Sequence, residues 1–258
     1  MSVVELRVPS PAAGAALTGP IAVLKIGGSV LTGPAGYARA AAHVAERLAA
    51  NDGTRLVVVV SAEHGHTDAL AAEALHAAGG AAPDGPLLDL LWSTGETRST
   101  ALVALHLRAL GVVATGLSVH ETGIEHRPGR ADATVDPAAL HAALDTHAVV
   151  VVPGFLAVRG RRIVSLGRGG SDWSAVLVAV ALGAACCELV KDVDGYFTAD
   201  PASSPGAAPI PRLSYAAALR MADDGCPLVQ RPAIATAARA RLPLVIRSVT
   251  GTGTRVQE

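Results

Sequence analysis

Two lysines stand out in a chain whose basic residues are otherwise arginines. The sequence has 258 residues and 21 basic residues, of which only Lys25 and Lys191 are lysines. Lys25 lies in VLKIGGSV, where Gly27 and Gly28 let backbone N–H groups approach a ligand and Ser29 adds a hydroxyl donor. A lysine at this place would meet the ligand as a mobile point charge, and the rigid, planar and bulkier arginine is not equivalent to it. The alternative is a lysine at a strand end followed by a glycine turn.

The second candidate segment is SLGRGGSDWS, in which three glycines come directly before a predicted helix. A helix N-terminus with glycine-rich backbone is a site for anions. Arg168 adds a group that can bind a carboxylate through two hydrogen bonds. Ser171 or Asp172 is expected to cap the helix, and Asp172 could also orient the lysines or assist a metal. The alternative is a loop followed by an ordinary capped helix.

Acidic residues mark two further candidate segments. KDVDGYFTADP contains Asp192, Asp194 and Asp200 directly after a predicted strand, and ligands of open α/β sheets bind at such strand ends. This segment resembles a calcium loop only loosely, because the glutamate at the twelfth position is missing. STGETRSTALVA places Glu96 and Arg98, by expectation, at the start of a helix, where the helix dipole favours an acid.

Short apolar runs alternate with longer alanine-rich segments, and these elements must position the candidate residues. The runs are nearly continuous in Val, Ile and Leu, which is typical of parallel strands covered on both faces. The alternation predicts βαβ units and an α/β fold with a mainly parallel sheet. The predicted strands are 21–26, 55–61, 111–118, 147–155, 187–193 and 242–248, and the predicted helices are 36–50, 67–78, 86–109, 137–145, 171–183, 214–224 and 231–241. A hairpin is predicted over 157–167, a polar, mobile loop over 121–136 and an extended surface loop over 201–211.

Composition excludes several classes of function. Half of the residues are apolar, enough for a large core, and the net charge of −1 without a basic run excludes a nucleic-acid surface. No apolar stretch reaches membrane-spanning length, no signal peptide is legible, and GxxxxGK[ST] is absent, which excludes a Walker-type site. Cys186, Cys187 and Cys226 form neither a disulfide framework nor a zinc spacing. We therefore expect buried free thiols, no metal-ligating residues and a cytoplasmic protein.

Together the motifs resemble the amino acid kinase superfamily, and among its members the catalytic domain of aspartokinases. KIGGS, STGETRSTALVA, PGFLA, LGRGGSD, DVDGYFTADP and LSYAAALRMADDGCPLV occur in that family's order and spacing, over about residues 21–256. The resemblance implies a three-layer α/β/α sandwich, with residues 1–20 as an N-terminal extension and 21–258 as the kinase domain. Its N-terminal part would bind the amino acid and its C-terminal part the nucleotide. The implied reaction uses ATP and Mg²⁺ to phosphorylate the side-chain carboxylate of an amino acid, with L-aspartate as the first candidate and 4-phospho-L-aspartate as product.

The resemblance also implies roles for single residues. Lys25 would neutralise the phosphoryl group in transit, and Asp172 would organise the active site. Glu96 would bind the substrate's amino group, while Arg168 and Ser171 would hold its carboxylates. The further positions are Ser29 and Thr67 for the substrate, and Gly27, Gly28, Lys191, Asp192, Gly195 and Phe197 for the nucleotide.

Four positions on the nucleotide side depart from the aspartokinase pattern. Lys191 stands where threonine is typical, Phe197 where tyrosine is, Ala202 where a basic residue is, and Pro227 where a second lysine is. Two hypotheses follow. Either Lys191 replaces the charge absent at Pro227 and takes part in catalysis, or nucleotide binding is weak or absent.

Other functions remain open at this point. Aspartokinases usually continue into C-terminal ACT regulatory domains, whereas this sequence ends at Glu258, so we expect a kinase domain that lysine and threonine do not inhibit. The acceptor could be a substituted aspartate or glutamate. A non-catalytic protein that binds an amino acid or nucleotide and regulates a partner is the alternative of another class, and the retained Lys25, Glu96, Arg168 and Asp172 favour an enzyme over it. A homodimer is expected, because homodimers are common in the family.

Overall fold

The computed structural model describes residues 19–50, 53–126, 133–167, 169–226 and 228–258. The strands are β1 (Ile21–Ile26), β2 (Arg55–Val60), β3 (Ala114–Gly116), β4 (Ile124–His126), β5 (Ala133–Val135), β6 (Val149–Pro153), β7 (Leu156–Arg159), β8 (Arg162–Ser165), β9 (Cys187–Val190), β10 (Arg212–Leu213), β11 (Leu244–Arg247) and β12 (Thr254–Val256). The helices are α1 (Gly33–Ala49), α2 (His66–Ala77), α3 (Gly85–Ala109), α4 (Ala138–Leu144), α5 (Gly170–Ala181), α6 (Tyr215–Asp223) and α7 (Arg231–Ala240), with a short 3₁₀ turn at Val119–Glu121.

The main sheet has eight strands in the order β10-β12-β11-β9-β1-β2-β6-β3. Every described pair in it is parallel except β11 with β12. The central strand β1 lies between β2 and β9, and Lys25 is in register with Val59 on one side and Leu189 on the other. The carboxyl ends of β1, β2 and β9 therefore meet at one edge, where the loops that follow them converge.

Helices cover both faces of this sheet. Successive side chains of a strand point to opposite faces, and Val57 and Val59 of β2 belong to one apolar cluster while Val58 and Val60 belong to another. The first cluster includes the buried face of α5 together with residues of α4, α6 and α7, and the second includes α1 and α3. Both sides of each central strand are thus buried, which is why the strands read as continuous apolar runs. The predicted three-layer α/β/α sandwich is confirmed.

A second sheet of four strands, in the order β5-β4-β7-β8, flanks the first. The predicted hairpin is confirmed as β7 and β8, with Gly160 at φ +61° in its turn. The expectation of a loop throughout 121–136 is wrong, since Ile124–His126 pairs antiparallel with Ala133–Val135. Strands of three residues are too short to show an alternating pattern, and residues 127–132 lie outside the described ranges.

All seven predicted helices and six predicted strands are present, with ends that differ by a few residues. The short strands β10 and β12 were not predicted. The stretch 201–211 is largely exposed, as expected, and begins with a turn in which the Asp200 carboxylate accepts from the Ala202 N–H at 2.9 Å. Residues 1–18 lie outside the described part, so the division between an extension and the kinase domain stays a prediction. None of the described helices has the length and hydropathy that crossing a membrane requires.

Candidate active site

The two lysines lie on the same carboxylate. Lys25 is in β1, Lys191 directly follows β9, and Asp172 is in the first turn of α5. Lys25 Nζ is 2.9 Å from Asp172 Oδ1, and Lys191 Nζ is 2.6 Å from Asp172 Oδ2. Exposure of the three side chains is only 7%, 14% and 4% for Lys25, Lys191 and Asp172. The Asp172 carboxylate therefore contacts both ammonium groups, as expected if Asp172 orients the two lysines.

This cluster has two cationic groups for one anionic group. Burial by itself would raise the pKa of Asp172, but the neighbouring Lys25 and Lys191 ammonium groups outweigh it and hold that pKa below its usual value. Burial, and then the charge of Lys25, lowers the pKa of Lys191, while Asp172 opposes the change. Because buried charges are costly unless they are paired, the surplus positive charge is suited to an anionic ligand.

The glycine loop after β1 lies beside the lysines. Gly27 donates its N–H to the Val190 carbonyl at 3.0 Å, which ties the loop to β9. A Cβ at Gly28 would come within 2.5 Å of the Ala62 carbonyl oxygen, so the position accepts no side chain. Ser29 is half-buried in the same loop. The glycines are therefore needed for the approach of two loops as well as for the approach of a ligand.

These residues line a cavity of about 450 Å³, which we call the lysine cavity. It is bounded by the loop after β1, by the loop after β2 and by the residues after β9. Lys25, Gly27, Gly28, Ser29, Ala62, Glu63, His64, Gly65, Thr67, Asp68, Lys191, Asp192, Val193 and Leu228 line it. Seven of the predicted site residues are thus brought together here, and the exposed Asp192 is among them.

Glu96 lines a neighbouring cavity of about 410 Å³, the glutamate cavity. Its walls are Ser61, Ala62, Thr67, Asp68, Ala71, Trp92, Glu96, Phe155, Gly167, Gly169 and Ser171. Thr67 and Ser171, which were predicted to bind the substrate, are both present. Three of the wall residues, Ala62, Thr67 and Asp68, also line the lysine cavity, so the two cavities adjoin.

The Glu96 carboxylate is buried and half-satisfied. Glu96 is 3% exposed and lies in the middle of α3, so the expectation that it starts a helix is wrong. The helix begins earlier, at a Pro-containing first turn capped by Asp84, whose side chain accepts from the Leu87 N–H. Glu96 accepts the Ala62 N–H, whereas its Oε2 has no hydrogen-bond partner among the described residues. Burial raises the pKa of Glu96 to about 8, against the opposing charge of Lys25 and the Ala62 hydrogen bond.

Two aromatic residues that were not predicted form a wall of the glutamate cavity. Trp92 and Phe155 meet edge to face with ring centroids 5.6 Å apart, and the Trp92 indole N–H donates to the Thr67 carbonyl at 3.2 Å. Phe155 has φ +65°, a left-handed conformation that is costly for a bulky residue. In the sequence, the signals for Phe155 were the Gly–Phe pair at the end of the fourth predicted strand and the PGFLA motif that contains it.

The glycine-rich loop before α5 closes the glutamate cavity. Gly169 has φ +75° and its backbone caps α5, so the expectation of a side-chain cap from Ser171 or Asp172 is wrong. Instead the Asp172 carboxylate binds both lysines, and Ser171 faces the cavity from the first turn of the helix. Arg168, which was predicted to bind a carboxylate, lies outside the described residues, as does Pro227.

A third cavity of about 490 Å³, the outer cavity, continues from the lysine cavity, with which it shares Val193 and Leu228. It is lined by Val193, Gly195, Tyr196, Phe197, Thr198, Ala199, Asp200, Pro201, Met221, Asp224, Gly225, Cys226 and Leu228. The predicted nucleotide residues Gly195 and Phe197 lie here. Asp194 does not, because its two carboxylate oxygens accept from the N–H groups of Ser248 and Thr252.

Neither the thiols nor the acidic side chains form a metal centre in the described part of the chain. No group of three or more His, Cys, Asp or Glu residues could hold an ion there. The expectation of three buried thiols is confirmed for Cys187 and is wrong for Cys186 and Cys226, which are half-buried.

Comparisons with known proteins agree with this architecture. The sequence model of the Amino acid kinase family matches residues 20–248. An aspartokinase from Corynebacterium efficiens is 37% identical over 235 residues, which are 88% of this chain and 54% of the relative. The chain spans about half the length of the curated relatives it matches.

Solved structures with the same fold include two aspartate kinases. The enzyme from Synechocystis superposes with a TM-score of 0.81 at 33% identity, over 93% of this chain and 40% of that one. Escherichia coli aspartokinase III in complex with aspartate and ADP gives a TM-score of 0.79 at 26% identity, over 93% of this chain and 65% of that one.

Proposed function

Because the chain belongs to the amino acid kinase family, we propose that it transfers the terminal phosphoryl group of ATP to an amino acid's side-chain carboxylate. The proposed acceptor is L-aspartate, and the product is 4-phospho-L-aspartate. The observation that carries the proposal is the Lys25–Asp172–Lys191 cluster, whose two lysines line the lysine cavity; the glutamate cavity and the outer cavity each share wall residues with that cavity. The acceptor would occupy the glutamate cavity, the transferred phosphoryl group the lysine cavity, and the nucleotide the outer cavity.

The glutamate cavity suits a zwitterionic acceptor. The buried Oε2 of Glu96 is a partner for an ammonium group, and the Ser171 hydroxyl is a donor for a carboxylate. Arg168, from the same LGRGGSD motif, is the proposed ligand of the second carboxylate. Aspartate is favoured because the relatives named above are aspartokinases and one of them is in complex with aspartate and ADP.

The outer cavity suits the nucleotide. Phe197, Met221 and Leu228 give it apolar walls, and Lys191 and the Gly27–Gly28 backbone lie on the side from which phosphates would reach the lysine cavity. The described residues offer no metal cage, which fits Mg²⁺, an ion usually held by substrate phosphates and water with one or two carboxylates. Asp192 is an exposed carboxylate of the lysine cavity that could approach it. Bound in this way, Mg²⁺ would supply further neutralisation of phosphate charge.

The chain's own contribution to the reaction is positioning and positive charge. The acceptor carboxylate is ionised at neutral pH and needs no general base. One of its oxygens forms the new bond to phosphorus as the bond from phosphorus to the ADP oxygen breaks. Lys25 and Lys191 each have three N–H donors and use one on Asp172, which leaves donors for the phosphoryl oxygens. Such a transfer depends on alignment and on neutralisation of charge.

A coupled assay of ADP release over a panel of amino acids tests this proposal. Trapping with hydroxylamine should give a hydroxamate, since acyl phosphates react with it. L-aspartate should be turned over and N-acetyl-aspartate should not, because the acetyl group removes the cation that Glu96 would bind. Turnover of a substituted aspartate or glutamate in place of aspartate would assign a related substrate. Binding of an amino acid or of ATP, without ADP release in the presence of any acceptor, would favour the non-catalytic alternative. The homodimer stays a prediction, which a mass measurement in solution would test.

A further inference from the structure

The segment from Ser61 to Gly65, which we call the β2–α2 loop, borders both the acceptor side and the phosphate side of the site. Ser61 and Ala62 line the glutamate cavity, and Ala62, Glu63 and His64 line the lysine cavity. The position of this loop therefore affects both ligands at once. What holds the loop in place bears directly on their relative alignment.

The backbone of the loop is tied to the glycine loop and to α3. The Ser61 N–H donates to the Ile26 carbonyl at 3.2 Å, and the His64 N–H donates to the Gly28 carbonyl at 3.1 Å. The Ala62 N–H donates to the Glu96 carboxylate. Ala62 thus connects the loop to the residue that would bind the substrate's ammonium group.

The Glu63 side chain adds two charged contacts to these backbone contacts. Its Oε1 accepts the Gly33 N–H at 2.7 Å, and its Oε2 accepts from Arg98 at 2.8 Å. The first contact satisfies an N–H of the first turn of α1, which Thr32 does not cap because its hydroxyl donates to the Ser29 carbonyl instead. Both contacts lower the pKa of Glu63, so its carboxylate stays ionised at neutral pH.

Arg98 is itself held in place. It donates to the Tyr37 hydroxyl at 3.2 Å and lies over the Tyr37 ring, with its guanidinium carbon 5.6 Å from the ring centroid. Tyr37 OH is also 2.9 Å from Ser99 Oγ. The side chain of Arg98 is therefore oriented between α1 and the loop, although its exposure is 49%.

We propose that Glu63 and Arg98 form a positioning clamp that fixes the β2–α2 loop between α1 and α3 and so keeps the acceptor aligned with the phosphoryl group. This inference rests on the proposed function. Glu96 and Arg98 are two residues apart on α3 and hold consecutive residues of the loop, Ala62 through its N–H and Glu63 through its carboxylate. Neither Glu63 nor Arg98 is a catalytic residue in this arrangement.

The clamp differs from an ordinary stabilising ion pair in what its loss should change. Exposed ion pairs contribute little to folding stability, and Arg98 is about half exposed. A displacement of about 1 Å in a site that works by alignment can lower the rate by about 10²-fold. Loss of the clamp should therefore reduce the rate and leave folding stability nearly unchanged.

Arg98→Ala tests the clamp against a matched control, Arg231→Ala. Arg231 forms an exposed ion pair with Asp223 at 2.9 Å, on a helix that carries none of the residues assigned to the site. Arg98→Ala is expected to lower kcat by roughly 10- to 100-fold, with a smaller change in the KM for the amino acid. Arg98→Lys should recover part of the loss, because an ammonium can still bind Glu63. The double variant Glu63→Ala/Arg98→Ala should lower kcat little more than Arg98→Ala alone, because both changes open the same clamp.

Hydrogen exchange of the backbone gives a readout that needs no activity. The amides of Ala62 and His64 should exchange roughly tenfold or more faster in Arg98→Ala than in the wild type, because the clamp limits local opening. They should be unchanged in Arg231→Ala. Faster exchange in Arg98→Ala, together with a wild type that forms no acyl phosphate, would overturn the proposed function but would leave the clamp standing as a property of the loop. Unchanged exchange in Arg98→Ala, or a kcat equal to that of Arg231→Ala, would overturn the clamp.

Discussion

Replacing Glu96 by glutamine should make the empty protein more stable at alkaline pH and should remove its affinity for the substrate's ammonium group. The carboxyl is buried, and its pKa rises from 4.5 to about 8 on folding. Between these values the unfolded chain has released the proton while the folded chain still holds it. The stabilising contribution of the protonated carboxyl is therefore full below pH 4.5, declines as the pH rises and is lost above pH 8.

The size of the effect follows from the difference between the two pKa values. That difference is about 3.5, and each pKa unit corresponds to about 1.4 kcal/mol, which gives an upper limit on the order of 4–5 kcal/mol. Glutamine can still accept the Ala62 N–H, but its buried amide N–H groups have no partner, which costs about 1–3 kcal/mol at every pH. The informative quantity is therefore how the stability difference between variant and wild type changes with pH.

Urea unfolding of both proteins from pH 4 to pH 9 would measure this difference. It should move in favour of Glu96→Gln by a few kcal/mol between pH 4.5 and pH 8 and should be flat outside that range. Glu121→Gln is a control whose stability difference should stay nearly flat above pH 4.5, because hydrogen bonds from the Ser118 hydroxyl and N–H lower the pKa of Glu121 and place its change below that pH. A pH-independent difference for Glu96→Gln would mean that Glu96 is already ionised in the empty protein and would refute the reasoning.

The same protonation should appear in binding. Below pH 8 the empty site must release the Glu96 proton before it can hold an ammonium group. The affinity of the wild type for aspartate should therefore fall about tenfold for each unit by which the pH is lowered below 8. Calorimetry in buffers of different ionisation enthalpy would detect the released proton. Glu96→Gln should bind aspartate much more weakly and without this pH dependence. Equal binding by both proteins would remove Glu96 from the substrate site.

Three further predictions concern the phosphate side. Lys25→Ala and Lys25→Arg should each lower kcat by roughly 10²-fold or more, as expected for loss of a preorganised charge, and full activity in either would exclude the proposed role. Lys191→Ala should lower kcat similarly if Lys191 replaces the lysine of other family members, whereas unchanged activity with ATP would leave Lys25 as the only lysine in the reaction. ATP with Mg²⁺ at 100 times its Kd should raise Tm by about 5–10 °C, and calcium should not; no shift at millimolar nucleotide would favour the non-catalytic alternative.

The order of elements could be predicted because the main sheet is buried on both faces. Runs such as RLVVVV have no alternation to interpret, and that continuity itself indicates a parallel sheet between helix layers. The second sheet escaped prediction because Ile124–His126 and Ala133–Val135 are too short for any period to be visible. Their pairing depends on contacts with β7 and on the chain around them, which local sequence does not contain.

The residues of the candidate site could be predicted where they belong to sequence motifs. Contacts between distant parts of the chain could not be predicted. Lys25, Asp172 and Lys191 were singled out by residue type, but their meeting on one carboxylate required β1, β9 and the first turn of α5 to be placed together. Asp172 was expected as a possible helix cap, but its carboxylate contacts the two lysines and accepts no capping hydrogen bond from the helix backbone. Arg98 lies in the STGETRSTALVA motif, but Glu63 is 35 residues away and was not a predicted site residue, so nothing in the sequence indicated that the two pair.

The arrangement around Asp172 gives a physical reason for lysine at both places. A guanidinium at position 25 could bind both carboxylate oxygens side by side, which would leave Lys191 without its partner. Two ammonium groups instead take one oxygen each, Lys25 at Oδ1 and Lys191 at Oδ2. A carboxylate shared by two cations holds both in place while each keeps free N–H groups, and the compact ammonium group leaves more room beside it for a ligand than the planar guanidinium fork does.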